Sequence, residues 1–339
     1  MVRKNFLSEN FESLSQFFSY LNEMYSEGEA QALHLFTIFP FEGLNIDRLE
    51  SIVRKKGLEC FIEKLDKRLY RIEIIIRTRY EQGYLILDGD YWLFVSNGDM
   101  IRQVAESFLK NMFPVIKPIY LDSEELFSVV DRLEETYDKT MFLDGTLVSQ
   151  WKTLRNWQRE PIEYSRGSLE EEEKKQEARW ISLKLSNYIG NALKLKCRIY
   201  NNGHLTLYSG EFTKFYDIAL DIARIGSKKD KLFSNRQRKI AEGKILLNPL
   251  KFELADHLGM ADLGKIKGEL IKNYSATIIH SGNPILLVQI TDKQDGSSFD
   301  FYSYGKKIEI VPLSKASSAA VTKIYGLISG ILPTAKFMG

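Results

Sequence analysis

Cysteine is nearly absent: the 339 residues hold only Cys60 and Cys197. A disulfide framework and a thiolate metal cluster are both excluded, and a reduced, cytoplasmic setting is expected. No stretch reaches the roughly 18 uninterrupted apolar residues of a membrane span. Ser8, Glu9, Asn10 and Glu12 break any signal-peptide core behind Arg3 and Lys4. The phosphate-cradling G-x-x-x-x-G-K-S/T loop, a strand-linked G-x-G-x-x-G and a G-x-S-x-G elbow are all missing. The four histidines, His34, His204, His257 and His280, show no paired-ligand spacing. Neither a cofactor nor a metal is implied, and a binding role is expected rather than a catalytic one. Disorder is excluded too, because 44% of residues are hydrophobic and 12% aromatic, enough to build a sizeable core.

The net charge of +2 hides a strong asymmetry. Residues 1–150 hold 17 Lys and Arg against 25 Asp and Glu, whereas residues 151–339 hold 30 against 20. Most of the excess falls in residues 184–251, with 14 basic and 5 acidic side chains. A basic half of this kind suits a polyanionic partner.

Apolar spacing predicts an amphipathic helix over Ser8–Ser26, through Phe11, Leu14, Phe17, Phe18, Leu21 and Tyr25. A strand over Ala32–Phe39, a helix ending at Gly57, a hairpin through Tyr80–Gln82 and helices over Met100–Met112 and Ser123–Tyr137 follow, with Ser123 as N-cap. Asn201-Asn202-Gly203 marks a hairpin turn. Phe212–Ile225 and Leu263–Lys272 read as helices. Ala276–His280, Ile285–Thr291, Phe299–Tyr304 and Ile308–Val311 read as a four-strand antiparallel meander, closed by a helix over Ser314–Leu332. The fold class expected is α+β: an N-terminal mixed α/β domain over 1–140, a connector over 141–180, and a C-terminal basic α+β domain over 181–339 with the meander. No internal repeat is visible.

Three constellations bear on function. The densest is Arg224–Lys239, with Arg224, Lys228, Lys229, Lys231, Arg236, Arg238 and Lys239 opposed only by Asp230. Clustered cations neutralise phosphates and release counterions; a solvated segment between helices is the bland alternative. Lys194, Lys196 and Arg198, on a nearby strand, extend the set, and all are expected to converge on one trough. The second constellation is Trp151 and Trp157 among Lys152, Arg155 and Arg159, which suits anchoring to a partner or base stacking beside phosphates. The third, His280-Ser281-Gly282-Asn283-Pro284 with Asp292, Asp295 and Asp300, is explained by turn chemistry. Its aspartates are also the only carboxylates a cryptic magnesium-dependent nuclease could use.

Leu232-Phe233-Ser234-Asn235-Arg236, Asn248-Pro249-Leu250, the His280–Pro284 stretch and Asp295-Gly296-Ser297-Ser298-Phe299-Asp300 together resemble prokaryotic Argonaute-associated proteins, over about residues 115–335. Such chains accompany short Argonautes that possess only MID and PIWI portions, and stand for the missing N domain and linkers, with or without a PAZ-like replacement. The resemblance implies a non-catalytic accessory subunit in antiviral defence that contacts guide RNA or DNA and target nucleic acid. The alternatives are the nuclease and a protein-interaction scaffold without nucleic acid.

Overall fold

The computed structural model describes residues 9–26, 31–40, 44–55, 57–76, 79–97, 101–117, 119–149, 152–156, 160–234, 239–241, 244–246, 248–282, 285–313 and 316–338. The fold is α+β, with antiparallel sheets. The chain opens with α1 (Leu14–Ser26), β1 (Leu33–Pro40), α2 (Ile46–Lys55), β2 (Glu59–Lys64), β3 (Leu69–Ile76), β4 (Arg79–Asp88) and β5 (Tyr91–Ser96). It continues through α3 (Ile101–Met112), β6 (Ile116–Lys117), α4 (Ser123–Thr136), β7 (Lys139–Ser149), β8 (Lys152–Asn156), β9 (Ile162–Glu163) and α5 (Arg166–Gln176). Then come β10 (Ala178–Ile189), β11 (Ala192–Tyr200), β12 (His204–Gly210) and the long α6 (Phe212–Ser234). The remainder is β13 (Lys239–Ala241), β14 (Lys244–Leu246), β15 (Leu250–Glu253), α7 (Met260–Asn273), β16 (Tyr274–Gly282), β17 (Ile285–Asp292), β18 (Ser298–Tyr304), β19 (Lys307–Pro312), α8 (Ser318–Ile331) and β20 (Lys336–Phe337).

Two compact units result. The first comprises residues 1–147, 153–174 and 180–227; the second comprises 148–152, 175–179 and 228–339. The division therefore differs from the expected boundaries at 140 and 181. The reason is strand pairing: β12, from beyond both expected boundaries, pairs antiparallel with β1, setting Leu35 opposite Leu205 and Phe36 opposite His204. The expected connector is likewise ordered over β7 and α5, with Phe142 and Leu169 buried.

The large sheet of the first unit runs β2-β3-β4-β5-β1-β12-β11-β10-β7-β8. On one face of its first half, α2 and α3 bury Leu49, Val53, Phe108 and Met112 against Phe36, Ile38, Trp92 and Phe94. On the opposite face, Tyr84 meets the aromatic edge of α1: its ring centroid lies 4.9 Å from Phe17, itself 6.2 Å from Phe212 of α6. Burial of such rings carries much of the stabilisation. The cap of α4 is Asp122, not Ser123. Its side chain accepts from the Glu125 backbone N–H while the Glu125 carboxylate accepts from that of Asp122, a reciprocal arrangement that satisfies two otherwise orphaned donors.

The second unit repeats a piece of the first. There, β1-α2-β2-β3-β4-β5-α3-β6 gives the order β2-β3-β4-β5-β1, with β6 pairing β1; here, β15-α7-β16-β17-β18-β19-α8-β20 gives β16-β17-β18-β19-β15-β20. The copies share an apolar-Pro-x-x-Lys stretch after the second helix, Phe113-Pro114-Val115-Ile116-Lys117 and Leu332-Pro333-Thr334-Ala335-Lys336, and a positive-φ glycine in the turn before the fourth meander strand, Gly89 and Gly305. In each copy that lysine sits on the short closing strand.

Both thiols are sealed. Burial pushes Cys60 up to about 12, with the Glu50 charge adding, and burial alone pushes Cys197 up to about 12. The unfolded chain releases these protons near the ordinary value of 9.0, so above it the unfolded state binds fewer protons than the folded one. Stability conferred by the neutral thiols is complete below about pH 9 and is lost as pH rises towards 12. Urea midpoints are expected to hold steady from neutrality to about pH 9 and to fall above it. Neither thiol should react with a maleimide before unfolding.

Candidate nucleic-acid interface

In β10, β11 and β12 the side chains alternate in chemistry as well as direction. Leu183, Leu185, Cys197, Ile199, Leu205 and Leu207 are fully buried on one face. The residues between them place polar groups on the other, and cross-strand pairing arranges these in rows. One row sets Phe36 opposite His204 and Tyr200 opposite Ser182. The next sets His34 opposite Thr206, Thr206 opposite Arg198, and Arg198 opposite Lys184. Lys196 and Tyr208 lie one step further along their strands, and β7 brings Asp144 and Thr146 alongside β10.

The first row is an aromatic ladder. His204 stacks between Phe36, at 4.2 Å, and Tyr200, at 4.6 Å between ring centroids. It is buried, and its Nε2 lies 2.9 Å from His34 Nδ1, so one imidazole donates to the other. Thr206 Oγ1 stands 3.3 Å from the same His34 nitrogen.

The second row is charged. The Arg198 guanidinium donates to Asp144 through Nη2 and to Ser182 Oγ through Nη1, at 3.2 Å for the latter. Lys184 Nζ lies 3.8 Å from the second Asp144 oxygen and 4.6 Å from the centre of the Tyr208 ring. Arg198 stands over Tyr200 at 5.9 Å. These groups are half-buried: side-chain exposure is 16% for Arg198, 23% for Lys184 and 35% for Asp144. Burial lowers the Lys184 ammonium from its ordinary range; Asp144 opposes this, while Lys196 and Arg198 reinforce it. Arg198 and Lys184 thus share one carboxylate, with the Lys196 charge acting on Lys184, in a partly desolvated place, a setting that suits an anionic ligand.

The structure divides the predicted cations. Lys196 and Arg198 lie on the polar face; Lys194 is half-buried beside them, its carbonyl accepting from the Glu211 N–H. Arg224, Lys228, Lys229 and Lys231 are not a separate element between helices but the last turns of α6. Arg224 pairs with Asp221 at 2.9 Å, and Lys229 lies 4.9 Å from the centre of the Tyr325 ring. Arg224, Lys228 and Lys231 fall on one helix face by their spacing, after Asp217 and Asp221 on the same helix. Acid-to-base order of this kind complements the helix dipole.

Arg224 does not join a trough with Lys196 and Arg198. Gly226 of α6 lies so close to Phe39 that a Cβ would come within 2.8 Å of the ring. Phe39 shares its sheet face with Leu35 and Leu205, whereas Arg198 shares the opposite face with Thr206 and His34. The expectation of one array uniting Arg224 with Lys196 and Arg198 is corrected accordingly. Arg236, Arg238, Trp151 and Trp157 lie outside the described residues, and Lys239 is described only as backbone of β13.

The aspartates of the alternative nuclease are otherwise engaged. Asp292 is buried and pairs with Lys323 Nζ at 2.6 Å. Asp295 accepts from the Ser297 backbone and from the Ser297 and Ser317 hydroxyls. Asp300 lies along β18, 3.4 Å from Gln289 Nε2. Among the described residues no three His, Cys, Asp or Glu side chains group as metal ligands. Among them, too, no helix is long and apolar enough to cross a membrane.

Sequence reasoning missed His34, Asp144, Lys184, Tyr200, His204, Thr206 and Tyr208. The available signal was alternation: Lys196-Cys-Arg198 reads across the turn into His204-Leu-Thr-Leu-Tyr208 only when Cys197, Ile199, Leu205 and Leu207 are taken as the buried partners. No protein-family model matches the chain, and no curated protein matches it.

Removing the central ring tests the ladder. His204→Ala leaves a void between Phe36 and Tyr200 and takes a partner from His34. It is expected to cost about 3 kcal/mol in urea unfolding. A cost below about 0.5 kcal/mol, the size of an ordinary surface substitution, contradicts the ladder's structural role.

Proposed function

We propose that this protein is a non-catalytic nucleic-acid-binding subunit, and that the polar face of β10–β12 receives the phosphodiester strand. The observation that carries the reading is the cluster of Lys184, Lys196 and Arg198, two of them sharing the carboxylate of Asp144, with Tyr200 and Tyr208 beside them. Cations dispersed over two neighbouring strands match a chain of phosphates better than a single anion, and the tyrosines offer ring surface for bases. Arg224 of α6 acts apart from this face, as a separate contribution to the long-range field.

The partner belongs to the same proposal. The chain completes a short Argonaute of MID and PIWI portions in the cytoplasm, beside guide RNA or DNA and its target, as the sequence resemblance implies. Co-purification with the MID–PIWI protein of a neighbouring gene, with mass measurement of both chains and any bound oligonucleotide, tests the partnership. A purified chain that forms no complex with that protein refutes it.

Binding to labelled single strands, followed against salt, tests the interface. Each phosphate contact on a single strand contributes about 0.7 to the slope of log K against log salt. Replacing Lys184, Lys196 and Arg198 together by Ala is therefore expected to weaken binding of every sequence and flatten the slope by about 2. Unchanged affinity and slope in that variant overturn the reading.

A further inference from the structure

The polar face carries its own anion. Asp144 projects from β7 towards β10; the next residue, Gly145, leaves no room for a side chain, since a Cβ would come 2.6 Å from the Trp180 ring and 2.7 Å from the Ser182 carbonyl oxygen. That close approach fixes where the neighbouring carboxylate can reach. One of its oxygens takes the Arg198 guanidinium and the other stands 3.8 Å from Lys184 Nζ. Both cations are thus held by a group of the protein itself.

We propose that Asp144 is a built-in competitor for phosphate, holding Arg198 and Lys184 while the face is empty and yielding them when a phosphodiester arrives. The inference rests on the nucleic-acid reading above and adds the way that site is regulated.

Three observations separate a competitor from a purely structural ion pair. Asp144 is the most exposed member of the trio, at 35% against 23% for Lys184 and 16% for Arg198, so an anion from solvent approaches on the side where the carboxylate already sits. Arg198 keeps a second anchor, Nη1 donating to Ser182 Oγ at 3.2 Å, and so stays positioned when Asp144 lets go of Nη2. Lys184 also has an alternative resting place over the Tyr208 ring, 4.6 Å from its centre. Burial first, and then the charges of Lys196 and Arg198, lower the affinity of Lys184 for its proton despite Asp144. Removing the internal anion therefore strengthens binding of an external one, whereas removing a structural bridge destabilises the fold and strengthens nothing.

The experiment measures binding of labelled oligouridylate and oligothymidylate to the full chain and to Asp144→Asn, with thermal unfolding alongside. The asparagine chain is expected to bind about tenfold more tightly, with the steeper salt dependence of cations freed for phosphate. Asp144→Glu, which keeps the charge, is expected to behave as the unmodified chain. Asp144→Thr, a good strand former, reads the same competition if the asparagine chain fails to fold. Unchanged or weaker binding by the charge-removing variants, while the unmodified chain binds and the Lys184/Lys196/Arg198 variant does not, overturns the competitor and leaves the interface standing. No binding by any of these chains overturns both.

Discussion

The antiparallel pairing of β1 with β12 is the constraint on which the rest depends. It joins an N-terminal half-sheet to strands more than a hundred residues later in the chain, and it fixes the register of both faces at once. Because side chains alternate, placing Leu35 opposite Leu205 on the apolar face necessarily places His34 opposite Thr206 and Phe36 opposite His204 on the other. A slip of one residue would exchange the two faces and bury Arg198 among leucines. The aromatic ladder and the row of charges are thus consequences of one hydrophobic register, not separate designs.

The same logic explains why the recurring β-α-β4-α-β pattern serves two situations. In the second unit the meander β16–β19 buries one face through Val288, Ile290, Phe301 and Ile310, and β20 closes on β15. Its exposed face carries an ordinary mixture such as Thr277, Gln289 and Asp300. In the first unit the strand equivalent to β15 is longer, so that β6 occupies one end of it and β12 the other. Extra strand length turned a closing strand into a junction, and the polar face exists because of that junction.

Much of this was legible in the chain. The helices over 101–112, 123–136 and 318–331 and the meander follow from apolar spacing and turn residues, and the Asn201–Gly203 turn fixed the β11–β12 hairpin. The domain boundary was not legible, because it depends on which distant strand joins β1, and composition carries no record of partner choice. Nor was the repeat: sequence similarity has shrunk to a few positions, such as Pro114 and Lys117 matching Pro333 and Lys336 and the turn glycines Gly89 and Gly305, while the topology persists in backbone pairing. Asp144 was invisible for the opposite reason. A lone acid in a strand has no pattern of its own, and it acquires meaning only beside Arg198, 54 residues away.

The basic run shows how linear charge density misleads. Residues 224–231 form the longer basic run, with four cations against three in 194–198, yet they belong to the end of a helix, where the backbone dipole and Asp221 already account for positive charge. Such cations stand in water and are screened. The three on β10 and β11 are fewer, but they are held on the sheet, partly stripped of water, and two of them share the Asp144 carboxylate. Coulomb attraction grows as water is removed, so a partly buried cation acts more strongly on a neighbouring charge than an exposed one does. The strength of an electrostatic site is set by what its neighbours leave uncompensated, and strand alternation decides who those neighbours are.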